Sequence, residues 1–192
     1  MLHTNRMIIH TLPEDQQAPQ RLFFTEDEWM GRAYHPILDR FPHQMPPTGN
    51  DWATWTVIGP PATGKTTAGM LWLFDMFMGS APLETVHGVV SETEFNIIGA
   101  RISTLLNPHL DISLIKSDRG VLEYVNDITG AKLALTTPAH RFGYDAKYLW
   151  WDDAQDAQSV VKRYSQWATH IVFTNPTKLP DDTVVSRPNI KD

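Results

Sequence analysis

The chain has 192 residues, 42% of them hydrophobic and 20% charged, with a formal net charge of −6, which suits one soluble domain with a substantial core. The absence of cysteine excludes disulfides and thiolate metal sites, and the eight histidines form no helical pair or spaced ligand cluster. No run of about eighteen apolar residues or signal-peptide pattern occurs, so no membrane association is expected, and the lack of a Lys/Arg run argues against tight DNA binding by this chain alone.

Residues 1–50 hold Pro13, Pro19, Pro36, Pro42, Pro46 and Pro47, which predicts short helices and loops. Thr25 followed three residues later by Glu28 is a capping box that opens one such helix. Residues 52–58 are aromatic and β-branched and stop at Gly59, the pattern of a buried strand feeding a glycine loop. The next stretch, 65–78, is apolar almost all round and predicts an internal helix. A second strand is expected over 86–90. A helix then follows over 92–106, with Phe95, Ile98, Ile102, Leu105 and Leu106 at helical spacing and Pro108 ending it. Residues 113–116, 121–125 and 131–136 alternate in polarity around turn chemistry at 126–130, which predicts a β-hairpin. Short apolar strands are expected over 148–151 and 170–173, with a helix over 157–168 between them. The remainder, 178–192, contains Pro180 and Pro188 and is expected to be a tail or linker.

Strands alternating with helices imply an α/β fold whose central sheet is mostly parallel, flanked by helices and carrying an inserted β-hairpin. The predicted organisation is an N-terminal extension, 1–50, as a candidate adenine-side cover, a core, 51–177, and the tail, 178–192.

Gly59-Pro60-Pro61-Ala62-Thr63-Gly64-Lys65-Thr66 matches G-x-x-x-x-G-K-[ST] without a gap. In such a loop the glycines permit a close, partly left-handed backbone, so that successive N–H groups face one oxyanion cluster. The following helix aims its N-terminal dipole at the same point. Lys65 adds a charge for the β- and γ-phosphates of ATP, Thr66 offers a hydroxyl ligand to Mg2+, and Thr67 completes the binding segment. The strand over 148–151 delivers Asp152 and Asp153 at its carboxyl end, where open α/β sheets bind ligands. Asp152 is placed to hold Mg2+, and Asp153 to orient and deprotonate the attacking water. If the strand ending at Phe173 lies beside it, Thr174 and Asn175 are candidates to meet the γ-phosphate or that water.

Asp152 lies 93 positions after Gly59, and Thr174 lies 22 further on. In motif order this resembles the ATPase domain of the large terminase subunit, the DNA-packaging motor of tailed viruses. Asp152-Asp153-Ala154-Gln155 looks like that family's second motif, Arg141-Phe142-Gly143 like its Arg-Gly element, and Phe173-Thr174-Asn175-Pro176 like its third motif. The resemblance spans residues 50–177. It implies a Mg2+-dependent ATP hydrolase that drives double-stranded DNA through a ring of its own copies. A portal protein and a small terminase subunit are the implied partners, and the host cell cytoplasm during virion assembly the implied location. Two departures are visible: Asp153 stands where Glu is usual, and no arginine lies within the phosphate loop. The nuclease domain usual in that family is not evident, so an excised ATPase domain or a minimal packaging ATPase is expected, and no nuclease activity is expected of these residues. A neighbouring subunit would then supply the arginine, with Arg101, Arg119 and Arg141 as candidates and Arg141 favoured for its turn before the Asp152 strand. Gln16, Gln17 and Gln20 are candidates for adenine contact.

The main alternative is a helicase or helicase-loader type of DNA-dependent ATPase. Superfamily 3 helicases also show a Gly-Pro-Pro loop and a Trp-Trp-acidic motif, but with a much shorter gap between them. A small-molecule kinase would need an arginine-rich lid, for which 176–192 offers only Arg187. A structural protein that has lost hydrolysis is the remaining reading.

Overall fold

Strand β1, Thr54–Val57, is buried on both faces, and its β-branched and aromatic residues fit the middle of a sheet. It belongs to a computed structural model that describes residues 40, 42–49, 51–107, 109–140 and 145–187, all but the first within the compact unit Pro42–Asp192. After β1 come α1 (Lys65–Met78), β2 (Thr85–Val89), α2 (Glu92–Leu106), β3 (Ile112–Asp118), β4 (Val121–Asn126), β5 (Lys132–Thr136), β6 (Ala146–Asp152), α3 (Ala157–Tyr164), β7 (His170–Thr174) and β8 (Val184–Ser186).

The described strands form one sheet in the order β3-β4-β5-β2-β6-β7-β1-β8. The six strands from β5 to β8 run parallel, while β3, β4 and β5 form an antiparallel meander at one edge. Helices α1 and α2 cover one face, burying Trp55, Val86, Leu133, Trp150 and Val172 with Leu73, Phe74 and Ile98. On the other face α3 closes a smaller cluster containing Leu149, Ile171 and Phe173. The apolar character of α1 follows from this packing, since eight of its nonpolar residues from Ala68 to Phe77 are buried.

The predicted α/β architecture with its edge hairpin is present. Most strand ends shift from the sequence reading by one or two residues, and three boundaries differ by more. The tail segment contributes β8, whose Val184 and Val185 pair with Trp55 and Thr56 on the open side of β1. Ser186 anchors it, accepting from the Trp55 indole at 2.9 Å through its hydroxyl and from the Ile58 N–H at 3.1 Å through its carbonyl. At the other end, the unit begins at Pro42 rather than 51, because the turn Pro42–Gln44 packs against the loop after β1. Helix α3 stops at Tyr164 instead of 168, and the Ser165 and Ala168 N–H groups close it through turn bonds to Val161 and Tyr164. The capping box at Thr25, along with Gln16, Gln17 and Gln20, lies outside the described residues.

His87 is a buried titratable group in the middle of this sheet. It is 2% exposed and its Nε2 lies 2.8 Å from the Thr136 hydroxyl. Burial lowers its pKa from the ordinary 6.5 to about 3. The folded chain therefore resists a proton that the unfolded chain accepts. This contribution is complete above about pH 6.5 and is lost progressively as pH falls from there towards 3. His87→Gln removes the proton acceptor and keeps an amide beside Thr136. Its denaturant stability, measured from pH 7.5 to 4, should fall less steeply than the parent's, and parallel curves would show that His87 does not set the slope.

Candidate active site

The loop between β1 and α1 is shaped by its own contacts. Ala62 and Gly64 take left-handed φ values of 61° and 76°. The Thr63 hydroxyl donates to the Pro60 carbonyl at 2.9 Å, and the Lys65 ammonium donates to the same carbonyl. Pro60 and Pro61 have no N–H, so anion recognition falls mainly on the amides from Ala62 onward. Gly64 precedes α1 as its N-cap and offers no side-chain cap, whereas α2 and α3 are capped by Ser91 and Asp156. The first-turn N–H groups of α1 are thus not spent on a capping side chain, and no acidic residue lies in that turn.

The second half of the site comes from β6 and β7, which lie side by side with Asp152 opposite Thr174. Asp152 is 3% exposed. Its carboxylate accepts from Thr66 Oγ1 at 3.1 and 3.3 Å, from Thr174 Oγ1 at 2.5 Å and from Asn175 Nδ2 at 3.3 Å. Burial pushes the Asp152 carboxyl above the usual carboxylate range. The Thr174 bond pulls it back, the Asp153 charge adds to the push, and the Thr66 and Asn175 bonds oppose it.

Thr174 is itself held in place. The Trp150 indole N–H donates to its hydroxyl at 2.9 Å, so an ordered chain runs from Trp150 through Thr174 to Asp152. Gly69 makes room for that indole, since a Cβ there would come within 2.1 Å of Trp150 Nε1. Trp150, read only as part of an apolar strand, therefore also orients the site.

Asp153 and Asn175, the residues just beyond β6 and β7, both have a left-handed φ of 53°. Each N–H reaches sideways to the next strand in the sheet: Asp153 to the Thr174 carbonyl at 2.8 Å, and Asn175 to the Val57 carbonyl at 3.3 Å. Asp and Asn tolerate this conformation better than other non-glycine residues. Their strained backbones cluster where a ligand would sit. A cleft of about 480 Å³ opens there, lined by the loop from Gly59, by Lys65, Thr66 and Thr67, and by Asp153 and Asn175.

The donor set fits Mg2+. A threonine hydroxyl and a buried carboxylate are hard oxygen ligands, and burial of Asp152 favours a cation beside it. Among the described residues no group of three or more His, Cys, Asp or Glu forms a protein cage, so phosphate and water oxygens would complete the coordination.

The sequence-predicted residues from Gly59 to Thr67 are thus brought together with Asp152, Asp153, Thr174 and Asn175. Arg141 lies outside the described residues, and neither Arg101 nor Arg119 lines this cleft. Sequence reasoning missed His43 and Gln44, which bond the carbonyls of Thr63 and Gly64. They lie about twenty positions upstream in a proline-rich stretch that carries no motif. A larger cleft of about 760 Å³ lies between α2 and the β3–β4 hairpin, lined by Glu92, Asn96, Asp118, Arg119 and His140 among others. It shares no residue with the phosphate loop, and its mixed charges converge on no single chemistry. The smaller cleft is the one that gathers the residues of the sequence motifs.

The fold is a mostly parallel α/β sheet with a glycine-rich loop between its β1 and α1. No protein-family model and no curated protein sequence matches the chain. Among solved structures it is similar to the large terminase ATPase domain of Thermus phage P74-26, with 13% identity and a TM-score of 0.47, covering 69% of this chain and 62% of that one. An arginine-to-alanine mutant of the same domain gives 13% identity and a TM-score of 0.46 over 70% and 63% of the two chains. The chain thus spans less than two thirds of the terminase domain it matches. No helix among the described residues is long and apolar enough to cross a membrane.

Proposed function

We propose that the chain is a Mg2+-dependent ATP hydrolase and serves as the motor subunit that moves double-stranded DNA into a viral capsid. The observation that carries the hydrolase reading is the bond between Thr66, which lines the cleft, and the buried Asp152, joining two motifs 86 residues apart. The DNA-packaging reading rests on the order of the motifs, above all Asp152-Asp153-Ala154-Gln155 and Phe173-Thr174-Asn175-Pro176.

In this reaction the amides from Ala62 to Thr67 bind the β- and γ-phosphates, and Lys65 exchanges the Pro60 carbonyl for phosphate oxygens. Thr66 and Asp152 would hold Mg2+, which when bound would neutralise phosphate charge. Asp153 accepts a proton as the water oxygen attacks the γ-phosphorus, the bond to the bridging oxygen breaks, and ADP leaves with that electron pair. Asn175 shares the cleft and steadies Asp152. Arg141 of an adjacent copy is the favoured source of positive charge for the transferred group. The setting we propose, on the family resemblance, is a ring of copies working with a portal protein and a small terminase subunit in the host cytoplasm.

The test is ATP turnover by the full chain across a dilution series, with and without linear double-stranded DNA. Specific activity should rise with protein concentration and rise again with DNA. A missing arginine in trans costs about 10³-fold or more, so the trend is large enough to measure. A forked duplex should not be unwound. Turnover that is flat on dilution and indifferent to DNA would remove the motor and leave a simple hydrolase. Unwinding would favour the helicase alternative.

A further inference from the structure

Two side chains hold the phosphate loop from behind. His43 Nε2 donates to the Thr63 carbonyl at 2.8 Å, and Gln44 Nε2 donates to the Gly64 carbonyl at 2.9 Å. In a trans peptide the carbonyl of one residue points opposite to the N–H of the next. Fixing the Thr63 and Gly64 carbonyls on the Pro42–Gln44 turn therefore directs the Gly64 and Lys65 N–H groups away from that turn. Those are two of the amides left to the loop once Pro60 and Pro61 are discounted. Neither His43 nor Gln44 lines the cleft.

The fit around Gln44 is close. Its side chain is buried, and a Cβ on Gly64 would come within 2.1 Å of Gln44 Nε2. Gly64 is thus required by this contact as well as by its φ of 76°. The same Gly64 carbonyl accepts the Ala68 N–H at 2.9 Å, the first bond of α1. One oxygen ties together the turn, the loop and the helix that points at the cleft.

We infer that His43 and Gln44 are positioning residues for nucleotide binding, holding the loop peptides so that the Gly64 and Lys65 N–H groups face phosphate. The inference rests on the phosphate-loop reading of the site. The two residues act through the backbone and touch no nucleotide atom. Their loss should weaken binding of the phosphate chain whether or not a nucleoside is attached.

The experiment is titration of the full chain with ADP and, separately, with inorganic tripolyphosphate, each with Mg2+. It compares the parent with Lys65→Ala, Gln44→Met, His43→Phe and His43→Gln. Gln44→Met keeps the volume and removes the donor. His43→Phe removes the ring donor, and His43→Gln restores an amide donor of similar reach. Gln44→Met and His43→Phe should each weaken both ligands by about tenfold, the scale of one lost hydrogen bond in a charged site. His43→Gln should stay within about twofold of the parent, and the ligand-free melting temperatures should be close. If Gln44→Met lowers the melting temperature, the two His43 variants decide the question. Affinities unchanged in Gln44→Met and His43→Phe, with binding lost in Lys65→Ala, overturn the brace and leave the phosphate loop standing. Loss of ADP affinity with tripolyphosphate spared also overturns it, and assigns the residues to the nucleoside. A parent that binds neither ligand overturns the phosphate-loop reading itself.

Discussion

Lys65→Ala is expected to reduce ATP turnover by about 10²–10³-fold, the scale of removing one preorganised charge contact to a transferring group. The side chain is largely buried, yet its ammonium contacts the Pro60 carbonyl and the Thr63 hydroxyl rather than the hydrophobic core. Alanine therefore deletes a loop contact and a phosphate ligand without opening a core cavity. Helix α1 keeps its start, because the Gly64 carbonyl still accepts from Ala68. The melting temperature should move by only a few degrees while nucleotide affinity falls. Steady-state turnover within twofold of the parent would exclude the loop as the phosphate site.

Asp153→Asn is the second large effect and should separate binding from chemistry. Asp153 is exposed at the cleft, and its backbone is fixed by the left-handed φ and the N–H bond to Thr174. Asn is at least as comfortable in that conformation, so the fold and the loop geometry should be kept. The amide cannot accept the water's proton, and turnover should drop by about 10²–10⁴-fold while MgATP affinity stays within a few-fold. Asp152→Asn should behave differently, weakening Mg2+ dependence and nucleotide binding together. Single-turnover hydrolysis set beside equilibrium binding checks the division. If the two variants match in both assays, the roles given to the adjacent carboxylates are wrong. The backbone also gives a local reason for the shorter acid at 153, where the resembling family has Glu. A left-handed residue at a strand end favours Asp over a longer side chain.

Much of the scaffold was legible because its signals are local. The apolar run ending at Gly59, the Gly-Lys-Thr start of α1 and the capped, periodic α2 each carry their structure within a few residues. The two apolar strands that end in Asp152 and Thr174 were readable for the same reason, and their adjacency needed only a parallel sheet. What was not legible depends on partners far away in sequence. Strand β8 is three residues long, and its pairing is decided by the open edge of β1 some 130 positions earlier. Gln44 matters because of a glycine carbonyl twenty residues downstream. Trp150 reads as core from its neighbours, and only the tertiary contact with Thr174 shows that its indole also aligns the site.

The most direct test of the central claim is a structure of the full chain with Mg2+ and a non-hydrolysable ATP analogue. The β- and γ-phosphates should lie against the amides from Ala62 to Thr67, with Lys65 Nζ drawn off the Pro60 carbonyl onto phosphate. Mg2+ should be bound to the Thr66 hydroxyl beside Asp152. A nucleotide seated in the larger cleft between α2 and the β3–β4 hairpin, with Lys65 still on Pro60, would contradict the account.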